Sequence, residues 1–181
     1  KANYPTEYMK AVLDSEISKT EDLVPYINAC REMGIKILGP DINLSDGTFK
    51  VMEDGVIRYG LYGIKNVGEQ AVDSILETRK LQGPFKSFFH FMENADLRLC
   101  NRRMIESLIH AGCFNSLGYT RKALIESLEM AILHAQKSQE DKQSGQASLF
   151  GMIEESRDVS EPIPRGANVG EYAEADILRF E

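Results

Sequence analysis

With 181 residues, 21 Lys and Arg against 28 Asp and Glu, and 43 % apolar residues, the chain has the composition of one large or two small globular domains. Disordered, collagenous and membrane classes are excluded: no apolar run approaches the ~18 residues of a membrane span, and Lys1 to Pro5 carries no signal-type stretch. The net charge of −7 is uneven, with −4 over residues 1–56, +2 over 57–130 and −5 over 131–181, so phosphate binding is compatible with the middle segment alone.

The predicted elements begin with a helix from Pro5 to about Glu16, in which Tyr8, Met9, Val12 and Leu13 recur at helical spacing. Asp22 is expected to cap a second helix over about 23–33, with Pro25 in its first turn, Ile27, Cys30 and Met33 on one face, and Gly34 as its stop. Ile35 to Asn43 is an extended apolar segment broken by Gly39 and Pro40, which suggests a domain seam near residue 40. Phe49 to Val51 and Val56 to Tyr59 flank Glu53-Asp54-Gly55 and predict a β-hairpin, the one sheet expected.

Helical periods return after Gly68 with Val72, Ile75 and Leu76, and again after Ser87, an expected cap, with Phe88, Phe89, Phe91 and Met92. Asn101 is expected to cap a helix whose stripe of Met104, Ile105, Leu108 and Ile109 ends at Gly112. Thr120 is expected to cap a long helix burying Leu124, Ile125, Leu128, Ala131, Ile132 and Ala135. The phenylalanines between Phe85 and Phe91 fit a helical core better than a base-stacking platform. Beyond Gln136 the chain turns polar, as a helix end passing into a linker would, and residues 171–181 have the pattern of a further helix start. Cys30, Cys100 and Cys113 are odd in number and form no CxxC pair, which fits reduced thiols in the cytoplasm.

Ile64-Lys65-Asn66-Val67-Gly68, preceded by Leu61 and followed by Val72, Ile75 and Leu76, resembles the helix-hairpin-helix element. A tight turn with little side-chain bulk leaves backbone N–H groups pointing outward at a helix start, where they and the positive dipole end accept a phosphate oxygen without reading sequence. The resemblance implies DNA contacts from Asn66, Val67 and Gly68, with Lys65, Arg58 and Arg79 adding charge. Asn66 stands where the pattern has its first Gly, and Asn is the residue best able to replace Gly in a left-handed turn. A second, more degenerate copy runs from Arg102 through Gly112 and Gly118 to Arg121 and Lys122. Two such elements joined by the Phe-rich connector would grip both strands of double-stranded DNA.

Gln146, Leu149 and Phe150 place an apolar pair in a polar linker, where burial in a partner's pocket would be worth roughly 1.5 to 3 kcal/mol per side chain. The spacing resembles the Gln-x-x-Leu-Phe peptide by which bacterial proteins hold the replisome's sliding clamp, although a loop anchor folding back on its own domain remains an equal reading of the five residues alone.

These features, with Gly39-Pro40-Asp41-Ile42-Asn43, Ile57-Arg58-Tyr59-Gly60-Leu61, Gly83-Pro84-Phe85 and Ala111-Gly112-Cys113-Phe114 in order, resemble bacterial DNA polymerase III alpha subunits, the C-family replicative polymerases, over about residues 1–155. The resemblance implies a mainly α fold with one small β-hairpin. Residues 1–40 would be the end of the fingers domain, 41–135 the tandem helix-hairpin-helix part of the clamp-binding domain, and 136–181 a linker with the clamp peptide. It implies duplex DNA, the sliding clamp and other replisome subunits as partners, and no membrane. It also implies that the magnesium-dependent polymerase carboxylates lie upstream, leaving this chain without catalytic residues, metal or cofactor.

The residues agree on that last point. Asp41 and Asp46 sit on a loop where turn chemistry explains Asp46, no GxxxxGK is present, and His90, His110 and His134 have no ligand-type spacing. Two rival readings stay open, a glycosylase-type repair enzyme and a purely protein-binding helical scaffold. The first is disfavoured because Gly39-Pro40-Asp41 precedes the hairpin instead of following it.

Overall fold

The computed structural model describes residues 4–19, 22–143 and 171. Its first helix, α1 (Pro5–Ser15), opens on a proline whose missing N–H is no loss in a first turn. Met9 and Leu13 of α1 pack against Leu23 and Cys30 of α2 (Leu23–Glu32), and Gly34 leaves the helix at φ +75° as expected of a stop. Asp22 does not cap α2. Its backbone is already helical (φ −82°, ψ −10°), its side chain makes no capping bond, and its N–H donates to Lys19 O at 2.8 Å. A carboxylate folds back onto a helix start from extended backbone, which Asp22 lacks.

The sheet has three strands, β1 (Ile37–Leu38), β2 (Lys50–Val51) and β3 (Ile57–Arg58), in the order β1-β3-β2. The antiparallel pair β2–β3 is the predicted hairpin, with a 3₁₀ turn over Glu53–Gly55 and Gly55 at φ +71°. Strand β1 was not expected. It pairs parallel to β3 with Ile37 opposite Ile57, and two residues are too few to show an alternating pattern. The pairing joins chain on both sides of residue 40, and Phe49 and Ile57 share one core cluster with α1 and α2.

The larger core lies among α3 (Glu69–Gln82), α4 (Phe88–Asn94), α5 (Arg102–His110) and α6 (Arg121–Gln143). The expected caps are in place: Ser87 Oγ accepts from His90 N at 3.1 Å, Asn101 Oδ1 from Met104 N at 3.0 Å, and Thr120 Oγ1 from Ala123 N at 3.2 Å. Phe85, Phe88, Phe89 and Phe91 are buried as predicted, and Phe114 stands edge-on to Phe88 at 5.0 Å and to Phe91 at 5.1 Å. Among the described residues no helix is long and apolar enough to cross a membrane. Burial pushes the thiols of Cys30, Cys100 and Cys113 above their ordinary range, Cys100 to about 12.

One loop fastens this core together. Asn43 exchanges two hydrogen bonds with the backbone of Phe85, at 2.8 and 2.9 Å, and Ile42 N donates to Cys113 O at 2.9 Å. Arg79 reaches across from α3 to Ile42 O at 3.0 Å, Ser45 O at 2.7 Å and Asp46 Oδ1 at 3.3 Å. Its guanidinium is therefore occupied inside the fold and does not add charge at the first hairpin, as the sequence had suggested. The Asp41 carboxylate is likewise engaged, accepting from Asn43 N at 2.8 Å and Leu44 N at 3.0 Å.

Because Phe114 links two aromatic neighbours at the centre of this core, Phe114→Ala should lower unfolding free energy by about 3–5 kcal/mol in denaturant titration. Leu81→Ala, at a side chain 77 % exposed, should change it by less than about 0.5 kcal/mol.

Candidate nucleic-acid interface

The first hairpin runs from a 3₁₀ turn at Leu61–Gly63 through Ile64 to Gly68, the residue that starts α3. Ile64 and Val67 turn into the core, while Lys65, Asn66 and Gly68 are exposed. Asn66 has φ +64° and is the one non-glycine residue with positive φ among those described, as its place in the pattern predicts. Two tyrosines brace the turn. Tyr59 Oη donates to Gly63 O at 3.1 Å, and Tyr62 Oη donates to Asp73 of α3, so the chain entering the hairpin is tied to the helix leaving it. The hydrogen bond to Asp73 pushes the Tyr62 phenol up to about 12, helped by burial and by the charges of Asp73 and Glu69, which keeps it a donor.

Of the three backbone donors expected to be open at Asn66, Val67 and Gly68, one is taken. Val67 N–H is occupied, donating to Ile64 O at 3.2 Å. The N–H groups of Gly68, Glu69 and Gln70 have no acceptor among the described residues, and all three residues are exposed. The first intramolecular bonds of α3 come from Ala71 N and Val72 N, each 3.1 Å from Gly68 O. Gly68 itself has φ −78° and ψ 145°, a conformation open to any residue, and a Cβ there would meet nothing within 4 Å. Neither strain nor internal crowding requires glycine at this point, and its effect is to leave the helix start bare.

The second hairpin differs. Gly112 (φ +78°) ends α5, a 3₁₀ turn covers Asn115–Leu117, and Gly118 (φ +85°) is left-handed before α6. A Cβ on Gly112 would come within 2.9 Å of Arg121 Nη2, because the Arg121 side chain is folded under the turn and only 6 % exposed. Arg121 was expected at the surface with Lys122, and Lys122 alone is exposed. The missing Cβ of Gly112 leaves the room that this side chain occupies. The start of α6 is also filled: Arg121 N donates to the Glu171 carboxylate at 3.0 Å and Ala123 N to Thr120.

Arg58, expected near the first hairpin, is half-buried in β3 and donates to Gly39 O at 3.2 Å. A contact that the sequence did not indicate joins the first hairpin to α5, where Asn66 Nδ2 lies 3.4 Å from Ser107 Oγ. Such a pairing, 41 residues apart, leaves no local signal. Gln146, Leu149 and Phe150 fall outside the described residues.

Residues 34–124 match a family described as "Helix-hairpin-helix motif", which spans both hairpins. The whole chain is similar to part of the DNA polymerase III subunit alpha of Borreliella burgdorferi, at 39 % identity and covering 16 % of that protein, and of Pasteurella multocida, at 40 % and 15 %. The same subunit of Escherichia coli K12 is 41 % identical over 86 % of the chain and 13 % of its own length. The chain thus spans about a seventh of the relatives it matches.

The left-handed turn makes a clear stability prediction. Asn66→Ala should cost about 1–2 kcal/mol and lower the melting temperature by several degrees, while Asn66→Gly should leave it nearly unchanged in the same thermal scan.

Proposed function

Because the chain belongs to the helix-hairpin-helix family, we propose that it holds the backbone of double-stranded DNA without reading sequence, as a non-catalytic segment of a replicative DNA polymerase alpha subunit. The carrying observation is the bare start of α3, where three exposed N–H groups at Gly68, Glu69 and Gln70 follow a left-handed turn. A phosphate oxygen satisfies such donors and is stabilised by the helix dipole. Lys65 and Asn66 flank the spot, and glycine at position 68 lets a backbone phosphate approach closely.

In this reading Asn66, Val67 and Gly68 shape and supply the grip, and Lys65 adds charge. Gly118 and Lys122 are the exposed parts of the second hairpin that a duplex would meet, while Gly112 and Arg121 hold its shape from beneath. Arg58 contributes through the sheet that carries the hairpin. The bonds made by Asp41 support a structural use of the Gly39-Pro40-Asp41 loop over the catalytic aspartate of a repair enzyme.

Nucleotidyl transfer and its magnesium would belong to other parts of the polymerase, and this segment would need no cofactor of its own. Gln146, Leu149 and Phe150 would bind the sliding clamp, with other replisome subunits as further partners in the cytoplasm. That assignment rests on the peptide pattern and on the relatives' being polymerase subunits.

Two measurements test the reading. Gly68→Ser should leave stability within a few tenths of a kcal/mol, since Ser caps at least as well as Gly, yet weaken binding to a mixed-sequence duplex several-fold at low salt because its hydroxyl crowds the donors. Binding with no salt dependence, or none at low salt, would favour a protein-binding scaffold. Separately, Leu149→Ala with Phe150→Ala should abolish capture by purified sliding clamp and spare duplex affinity; equal loss of both would contradict the division of roles.

A further inference from the structure

Next to the first hairpin, α5 carries a cation for which the fold has no use. Arg102 and Arg103 occupy the first turn of α5, the end at which the helix dipole disfavours positive charge. Arg102 is compensated by Glu106, 2.9 Å from its Nε, and by Glu129. Arg103 is exposed and has no carboxylate partner among the described residues. An exposed arginine set against the dipole, without an ion-pair partner among the described residues, has its guanidinium free to meet an anion.

Its position says which anion. Arg103 lies one helical turn before Ser107 on the same face of α5. Ser107 Oγ donates to Arg103 O at 3.0 Å and stands 3.4 Å from Asn66 Nδ2, the left-handed residue of the hairpin. At 1.5 Å per residue, Arg103 is about 6 Å along α5 from the point where that helix meets the turn. Lys65, Asn66, Ser107 and Arg103 therefore form one polar edge built from two elements far apart in sequence. The nearest acid on the same helix, Glu106, already faces Arg102.

Resting on the duplex contact proposed above, we propose that Arg103 is a further phosphate-binding residue, taking the backbone phosphate next to the one held at Gly68 while Ser107 keeps α5 aligned with the turn. The planar guanidinium fork matches two oxygens of one phosphate, and binding it removes the unfavourable charge at the helix start. The contact carries no base information, so the sequence-independent character of the grip is unchanged.

The experiment titrates the whole 181-residue chain against a mixed-sequence duplex between about 50 and 200 mM salt, with a melting scan of each variant. Arg103→Ala should weaken binding about three- to tenfold and reduce the slope of log affinity against log salt by about 0.9, the loss of one phosphate contact, without lowering the melting temperature. Arg103→Lys should restore the slope and part of the affinity. An unchanged slope in Arg103→Ala, when Lys65→Glu and Gly68→Ser still weaken binding, would overturn the role of Arg103 and leave the hairpin grip standing. Failure of the unsubstituted chain to bind duplex at low salt would overturn both.

Discussion

Every α-helix begins with backbone donors that its own turns cannot satisfy, and the way each helix of this chain resolves that constraint separates scaffold from site. α4, α5 and α6 close the gap with the side chains of Ser87, Asn101 and Thr120, and α6 takes the Glu171 carboxylate as well. α1 and α2 have no side-chain cap but carry Pro5 and Pro25 in their first turns, each removing one donor. Among the described helices α3 uses neither device. It starts on Gly68 and faces solvent with its N–H groups unpaired, which is stable only because water is there to meet them. A phosphate that replaces that water inherits an arrangement already paid for by the fold.

Keeping such a start open demands rigidity around it. Ile64 and Val67 anchor the turn in the core, Asn66 reverses it, and the Tyr62–Asp73 bond joins its two arms. Tyr59 packs against both hydrophobic clusters and bonds Gly63 O, so the small sheet and the α1–α2 pair brace the hairpin from behind. Arg79 does the same from α3 by gripping the 42–46 loop. The fold thus uses one arginine internally to hold the element that carries the open helix start. Of the nearby carboxylates, Glu106 is paired with Arg102, while Asp73 accepts a hydrogen bond from Tyr62 and keeps its charge, as does Glu69 in the first turn of α3.

What could be read from sequence was what short stretches decide. The left-handed Asn66, the caps at Ser87, Asn101 and Thr120, the stops at Gly34 and Gly112, and the burial of Phe85 to Phe91 all follow from conformational preference and periodicity within a few residues. Long side chains were legible as charge but not as destination. Arg79 and Arg121 lie at helical positions where exposure was a fair expectation; Arg79 is drawn inward by partners 33 to 37 residues away, and Arg121 fills the room a glycine leaves across a turn. Asp22 fails as a cap because its own backbone is already helical and its N–H is bonded to Lys19 O. The β1–β3 pairing and the Asn66–Ser107 contact are tertiary facts with no local trace.

The asymmetry between the hairpins bears on how a modest grip would serve a polymerase. One helix start is open and the other is filled by Thr120 and Glu171, so the proposed duplex contact would be built mainly on one side. Few phosphate contacts would mean fast release, which would suit a segment of a polymerase that moves along its template. α6 begins at the second hairpin and runs 23 residues, about 35 Å, to Gln143, three residues before Gln146 in sequence. Binding a ring threaded on the same duplex would return the hairpin to its phosphate at high effective concentration, so that residence comes from the pairing of two weak contacts and speed from the weakness of each.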